Sequence, residues 1–239
     1  MESHLIVALD MESMLRAEAM VDTLIGHIKY FKIGSQLFTA AGPRAIEMVN
    51  KKGGKVFLDL KLCDIPKTVA GAVKAAQSHN VFSISIHTVG GVDMIRQAVG
   101  LRPRPLLWGV TVLTSLDQDD LSVIGISKKV RETVLDLASM AVQEGVDGII
   151  CSPQEVSLIR EKIGRVSIIT PGIRMPETIF PRGEKKIAGE DQKRIFTPHQ
   201  AVLAGANYLV VGRPITEARD PLQMTNIILR EMGAIRFEQ

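Results

Sequence analysis

The sequence predicts a single (β/α)8 barrel, an α/β TIM barrel occupying residues 1–239 as one catalytic domain, and three observations carry that prediction. Short apolar runs alternate strictly with helical patterns along the whole chain. The connections are short, and no composition break or low-complexity stretch marks a linker. The length of 239 residues is close to the ~250 typical of such barrels. The competing arrangement, a doubly wound open sheet, would carry a glycine-rich dinucleotide fingerprint after the first strand. This chain reads Ala8-Leu9-Asp10-Met11-Glu12 there.

The elements follow in order. Residues 4–9 form an apolar strand ending at Asp10, and residues 11–26 carry a helical pattern. Residues 29–33 make the second strand, followed by a helix over 44–52. Gly53-Gly54 opens the third strand, 55–61, and Pro66 closes it before a helix over 68–78. In the fourth strand, 82–87, alternation sets Ser83, Ser85 and His87 inward against Phe82, Ile84 and Ile86 outward. The fifth strand covers 106–113 and runs into Thr114-Ser115, with a helix at 127–143. Strands at 148–151, 167–170 and 208–211 complete eight, with helices at 198–204 and 221–232 around the last.

Composition excludes several classes. Hydrophobic residues at 46% and charged residues at 23% are ordinary for a soluble globular protein. A net charge of +3 is too small to argue for a nucleic-acid or membrane partner, yet it would not repel an anionic substrate. Cys63 and Cys151 have neither metal-ligand spacing nor disulfide-scaffold density. The apolar run before Asp10 is too short for a signal peptide, and no run approaches the ~20 residues of a membrane span. The expectation is a soluble, cytoplasmic protein.

The third strand is the most informative stretch: Val56-Phe57-Leu58-Asp59-Leu60-Lys61-Leu62-Cys63-Asp64-Ile65-Pro66. Alternation puts Phe57, Asp59 and Lys61 on one face and the aliphatic Val56, Leu58 and Leu60 on the other. Two opposite charges therefore enter an interior where valine or leucine would serve folding better. In a barrel the active site lies at the C-terminal ends of the strands. Those ends carry Asp10, Lys32, Asp59, Lys61 and His87. A histidine at such a buried position most simply bonds a backbone carbonyl.

The second half carries anion-binding signals. The seventh strand ends in Thr170-Pro171-Gly172-Ile173-Arg174 and opens a polar segment, residues 175–194, long enough to act as a lid. The eighth ends in Val211-Gly212-Arg213-Pro214-Ile215. Glycine admits a ligand to the backbone and arginine clamps an anion, at the place where barrels commonly hold phosphate.

Taken together, Asp59-x-Lys61-x-x-Asp64-Ile65-Pro66-x-Thr68, Val110-Thr111-Val112-Leu113-Thr114-Ser115, Thr170-Pro171-Gly172-Ile173-Arg174, Asp191-Gln192 and Gly212-Arg213-Pro214-Ile215-Thr216 resemble the orotidine 5′-phosphate decarboxylases. The first motif is shared with related sugar-phosphate enzymes; the others, in this order at strand ends, are more specific. The chain departs from the bacterial pattern at Lys67, where asparagine is frequent, and in the length of the segment between Arg174 and Gln192.

The resemblance implies decarboxylation of orotidine 5′-phosphate to uridine 5′-phosphate, the last step of uridine monophosphate synthesis, with no cofactor and no metal. It implies a charged tetrad of Lys32, Asp59, Lys61 and Asp64, with Asp64 given by the other subunit of a homodimer that shares its active sites. Asp10 and Lys32 would hold the ribose, with Ile65 and Thr68 of the partner close by. Thr114 and Ser115 would face the pyrimidine. Gln192, Gly212 and Arg213 would grip the phosphate, and Arg174 would belong to the closing loop. The residue types suit the chemistry, because a carbanion with no adjacent carbonyl needs a fixed positive charge and a proton donor. A related metal-dependent enzyme acting on a keto-sugar phosphate, and a barrel that only binds phosphate, are the competing readings.

Overall fold

The computed structural model describes residues 4–173 and 196–233. The chain runs β1 (His4–Ala8), α1 (Met14–Leu24), β2 (Tyr30–Gly34), α2 (Ser35–Ala41), α3 (Pro43–Lys51), β3 (Lys55–Leu62), α4 (Pro66–Ser78) and β4 (Ser83–His87). After a 3-10 turn at Thr88–Gly90 come α5 (Gly91–Val99), β5 (Leu106–Val110), α6 (Gln118–Val123), α7 (Val130–Gln143) and β6 (Gly148–Ile150). A second such turn, Pro153–Glu155, leads to α8 (Val156–Ile163), β7 (Ser167–Thr170), α9 (Pro198–Ala204), β8 (Tyr208–Val211), α10 (Arg213–Thr216) and α11 (Pro221–Glu231). The strands close into a parallel barrel in sequence order, with β1 paired to β8. The barrel read from the alternation is therefore the fold.

Most boundaries shift by a few residues, each for a local reason. Helix α1 starts at Met14 because Ser13 caps it, its Oγ accepting the Arg16 N–H at 3.3 Å. Helix α4 starts at Pro66 rather than 68, since proline at the first helical position has no N–H to leave unpaired. Strand β5 stops at Val110, not 113: the Thr111 N–H and hydroxyl both donate to the Ile150 carbonyl, at 3.2 and 2.9 Å, and the chain then leaves the sheet.

Two apolar layers hold the barrel. The outer one packs the outward strand residues, including Val56, Leu58, Ile84 and Ile86, against the helices. The inner one fills the lumen with Ile6, Ala8, Phe57, Trp108, Val110, Ile150, Ile169 and Val210. Trp108 is fully buried there, and Gly148 makes room for it: a Cβ on Gly148 would lie 2.7 Å from Trp108 Cδ1. At the N-terminal end of the strands, rings seal the lumen, with Tyr30–Phe82 and Trp108–Tyr208 centroids each 5.1 Å apart. Phe82 belongs to this plug. The strict alternation that set it outward fails because Phe82 precedes β4, which begins at Ser83. The opposite end of the barrel is polar. Among the described residues no helix is long and apolar enough to cross a membrane.

Candidate active site

Sheet register brings the charged strand ends to one level. Lys32 on β2 pairs with Ala8 of β1 and Phe57 of β3, and Gly34 pairs with Asp59. Asp10 lies two residues beyond β1 and reaches across to Lys32, whose Nζ donates to Asp10 Oδ1 at 2.7 Å. The same ammonium is 3.5 Å from Asp59 Oδ2, and Lys61 Nζ donates to that oxygen at 2.8 Å. Asp59 thus stands between two lysines, and both Asp59 and Lys32 are buried to 8% exposure. The side chain of Lys61 is 40% exposed and faces solvent at the mouth.

Lys61 adopts φ +48°, a left-handed conformation that costs a non-glycine residue about 1–3 kcal/mol and persists where its surroundings impose it. The β3–β4 register shifts between Leu58 and Leu62, so the ladder is irregular where Lys61 sits. Ser85 on β4 meets it there. Its hydroxyl accepts the Lys61 N–H at 2.8 Å and donates to Asp59 Oδ1 at 2.8 Å.

Burial opposes the charge on Asp59, but the ammonium groups of Lys32 and Lys61, with hydrogen bonds from Lys61 and Ser85, outweigh it. They hold the carboxyl below the ordinary carboxylate range. Burial, and after it the Lys61 charge, also lower the pKa of His87 from the ordinary imidazole value, which leaves the ring neutral at pH 7. Its Nδ1 is buried with no hydrogen-bond partner among the described residues, so that nitrogen makes no bond to a backbone carbonyl. Burial and the neighbouring Glu155 raise the Cys151 thiol far above its usual value, which leaves it inert as a nucleophile.

These groups border a cavity of about 560 Å³ at the C-terminal ends of the strands. Asp10, Lys32, Asp59 and Lys61 line one wall, Thr114 and Ser115 a second, and Gly212 and Arg213 a third. Phe57, Val110, Ile150, Ile169 and Val210 form an apolar floor. A flat ring with a polar rim and a distant anionic group fits such a container. Gly34 permits the approach of Asp10 to Lys32, since a Cβ there would lie 2.6 Å from Asp10 Oδ1 and 2.8 Å from Lys32 Nζ.

Three expected residues do not reach this cavity within one chain. Asp64 Oδ1 accepts the N–H of Ile65 at 2.6 Å, Ile65 is 68% exposed, and Thr68 is exposed in the first turn of α4. Arg174, Gln192 and the segment 175–194 lie outside the described residues. Sequence reasoning placed Ser85 inward but gave it no task, because a serine on an inward face reads as any satisfied hydroxyl. Gly34 and the apolar floor went unassigned as well; inward alternation was the available signal for Phe57 and Ile169.

Comparison with known proteins places the chain in a family. The sequence model described as "Orotidine 5'-phosphate decarboxylase / HUMPS family" matches residues 3–226. A curated orotidine 5′-phosphate decarboxylase of Coxiella burnetii is 43% identical over 238 residues, covering 97% of each chain. One of Pseudomonas paraeruginosa is 42% identical over 237 residues, covering 97% of this chain and 98% of the other. The crystal structure of the Lactobacillus acidophilus orotidine 5′-phosphate decarboxylase superposes with a TM-score of 0.82 at 34% identity, covering 97% of this chain and all of that one. With a family match across residues 3–226 and identity above 40% along nearly the full length of curated relatives, this chain belongs to the orotidine 5′-phosphate decarboxylase / HUMPS family.

Proposed function

We propose that Lys61 performs the central step of this chain's reaction, the decarboxylation of orotidine 5′-phosphate to uridine 5′-phosphate in pyrimidine biosynthesis. The observation that carries the reading is the Lys61 ammonium, 2.8 Å from the buried Asp59 carboxylate at the open end of the barrel. The C6–carboxylate bond breaks, its electron pair stays on C6, and CO2 leaves. The ammonium aimed at C6 stabilises the developing negative charge, because its position is fixed before the charge appears. It then gives its proton to C6, and Lys61 recovers a proton from solvent. Asp59 keeps Lys61 charged and oriented, and Lys32 shares that carboxylate while binding Asp10.

Asp10 and Lys32 hold the ribose, Thr114 and Ser115 face the pyrimidine, and Gly212 with Arg213 takes the phosphate, joined by Gln192 and Arg174. Binding energy from a phosphate remote from C6 is available for assembling the site around the reacting carbon. Each step is carried by side chains of this protein, without metal or cofactor.

The working unit is a soluble, cytoplasmic homodimer in which Asp64, Ile65 and Thr68 of one subunit complete the cavity of the other. Support comes from Asp64 turned to its own Ile65 N–H, and from Ile65 and Val89, apolar yet 68% and 56% exposed. The test is direct. Purified protein treated with EDTA should deplete the ultraviolet absorbance of orotidine 5′-phosphate and yield uridine 5′-phosphate. No turnover in a folded preparation would overturn the reading, and loss of turnover with EDTA alone would overturn its metal-free part.

A further inference from the structure

Ser85 lies at the meeting point of the two residues on which the proposed chemistry depends. Its hydroxyl has one proton and two acceptor sites. The proton goes to Asp59 Oδ1 at 2.8 Å, and the oxygen accepts the Lys61 N–H at 2.8 Å. The other carboxylate oxygen of Asp59 takes the Lys61 ammonium at 2.8 Å. A closed ring results: serine hydroxyl, carboxylate, ammonium, lysine side chain, and the lysine N–H back to the same hydroxyl. Both ends of Lys61 are thereby tied to one carboxylate, the head directly and the backbone through Ser85.

The ring sits where the backbone most needs a tether. Lys61 is left-handed at φ +48°, and the β3–β4 register shifts across it. A lysine does not hold that conformation by its own preference. Ser85 is fully buried on β4, with Cα registered opposite Trp108 in the packed lumen, so its hydroxyl is a fixed point rather than a mobile one. Asn80 is the other non-glycine residue with positive φ among those described, and it lies in the α4–β4 connection on the far side of the barrel from the cavity.

We infer that Ser85 is a positioning residue for the reaction: its hydroxyl holds the left-handed turn at Lys61 and the rotamer of Asp59, and so sets where the Lys61 ammonium points. This rests on the assignment of Lys61 as the group acting at C6. Ser85 does not line the cavity and so acts through the pair rather than on the substrate. Removing the hydroxyl leaves the Lys61 N–H and Asp59 Oδ1 without their partner while the charges stay in place. The loss should therefore fall on kcat more than on KM.

The experiment compares wild type with Ser85→Ala, Ser85→Thr and Ser85→Val in steady-state assays with orotidine 5′-phosphate, after far-UV circular dichroism establishes the fold. Loss of two hydrogen bonds at charged or strained groups should lower kcat of Ser85→Ala by about 10- to 100-fold, with KM changed by less than about threefold. The acid limb of its kcat profile should move to higher pH, because a bond favouring the Asp59 carboxylate is gone. Ser85→Thr and Ser85→Val have nearly the same shape and differ in the hydroxyl; the first should keep most of kcat and the second should lose it. That pair decides the matter even if Ser85→Ala fails to fold. A Ser85→Val enzyme as active as Ser85→Thr, or a loss residing in KM with an unmoved acid limb, overturns the inference. An inactive wild type would instead overturn the assignment of the reaction.

Discussion

Lys61 Nζ and Asp59 Oδ2 lie 2.8 Å apart, and the lysine that makes this contact has a left-handed backbone. Two residues apart on a strand, their side chains already share a face. The left-handed turn adds something that alternation does not provide: it lets the ammonium cap the carboxylate while staying 40% exposed toward the cavity mouth. Strain of this kind survives only where neighbours over-determine it. Here Ser85, Lys32 and Asp10 all bond into the same network.

The depressed titration of Asp59 has a consequence for stability against pH. An acid whose pKa falls on folding contributes stability above its unfolded value of about 3.9, and loses it as pH falls through the lower folded value. Asp59→Asn leaves Lys32 and Lys61 as like charges at one site and should lower Tm. The gap in Tm between wild type and variant should hold steady from pH 7 to about 5 and narrow only below about 4. Thermal melts across that range measure it, and a gap that already closes between pH 7 and 6 would show Asp59 titrating too high.

Gly34→Ala should damage activity more than stability. Gly34 has φ −91°, which alanine accepts, so the backbone imposes no strain. The new methyl instead enters the Asp10–Lys32 contact, at 2.6 and 2.8 Å from its two atoms. Those side-chain ends would swing away, and an ångström of misplacement can cost about 100-fold. We expect kcat/KM to fall at least about tenfold while Tm changes by only a few degrees. Unaltered kcat/KM would mean that the Asp10–Lys32 geometry does not matter to turnover.

Mixed dimers test the shared site. Lys61→Ala and Asp64→Ala proteins should each be nearly inactive. After subunit exchange, one of the two sites in each heterodimer receives wild-type Lys61 and wild-type Asp64. Activity should then rise toward about a quarter of wild type for random exchange, since half the dimers are mixed and half their sites are intact. Heterodimers shown to form by native mass spectrometry, yet as inactive as their parents, would place Asp64 outside the partner's cavity.

The barrel was legible because eight apolar runs alternate with helical patterns, and several strand ends in the first half of the chain carry a charged or polar residue. The tetrad candidates Lys32, Asp59 and Lys61 were legible because charges on a buried strand face have no folding purpose. What alternation could not reveal depends on register between strands. The turn at Lys61 arises where β3 slips against β4, and the task of Ser85 exists only once those strands are side by side. Gly34 reads as the end of a strand until Asp10 arrives from another one. Phe82 was misplaced because alternation was extended one residue before its strand begins. Asp64, Ile65 and Thr68 need a second chain for their expected roles, which no pattern in a single sequence supplies.

Lys61→Ala is the most direct test, because no other residue is asked both to stabilise the carbanion at C6 and to protonate it. The variant should keep the far-UV spectrum of the wild type. Its single-turnover rate on saturating orotidine 5′-phosphate should fall by at least about 1,000-fold, equivalent to ~4 kcal/mol of transition-state stabilisation. A clean, folded preparation that retains more than about one per cent of the wild-type rate, roughly 2.7 kcal/mol, would contradict the assignment of Lys61.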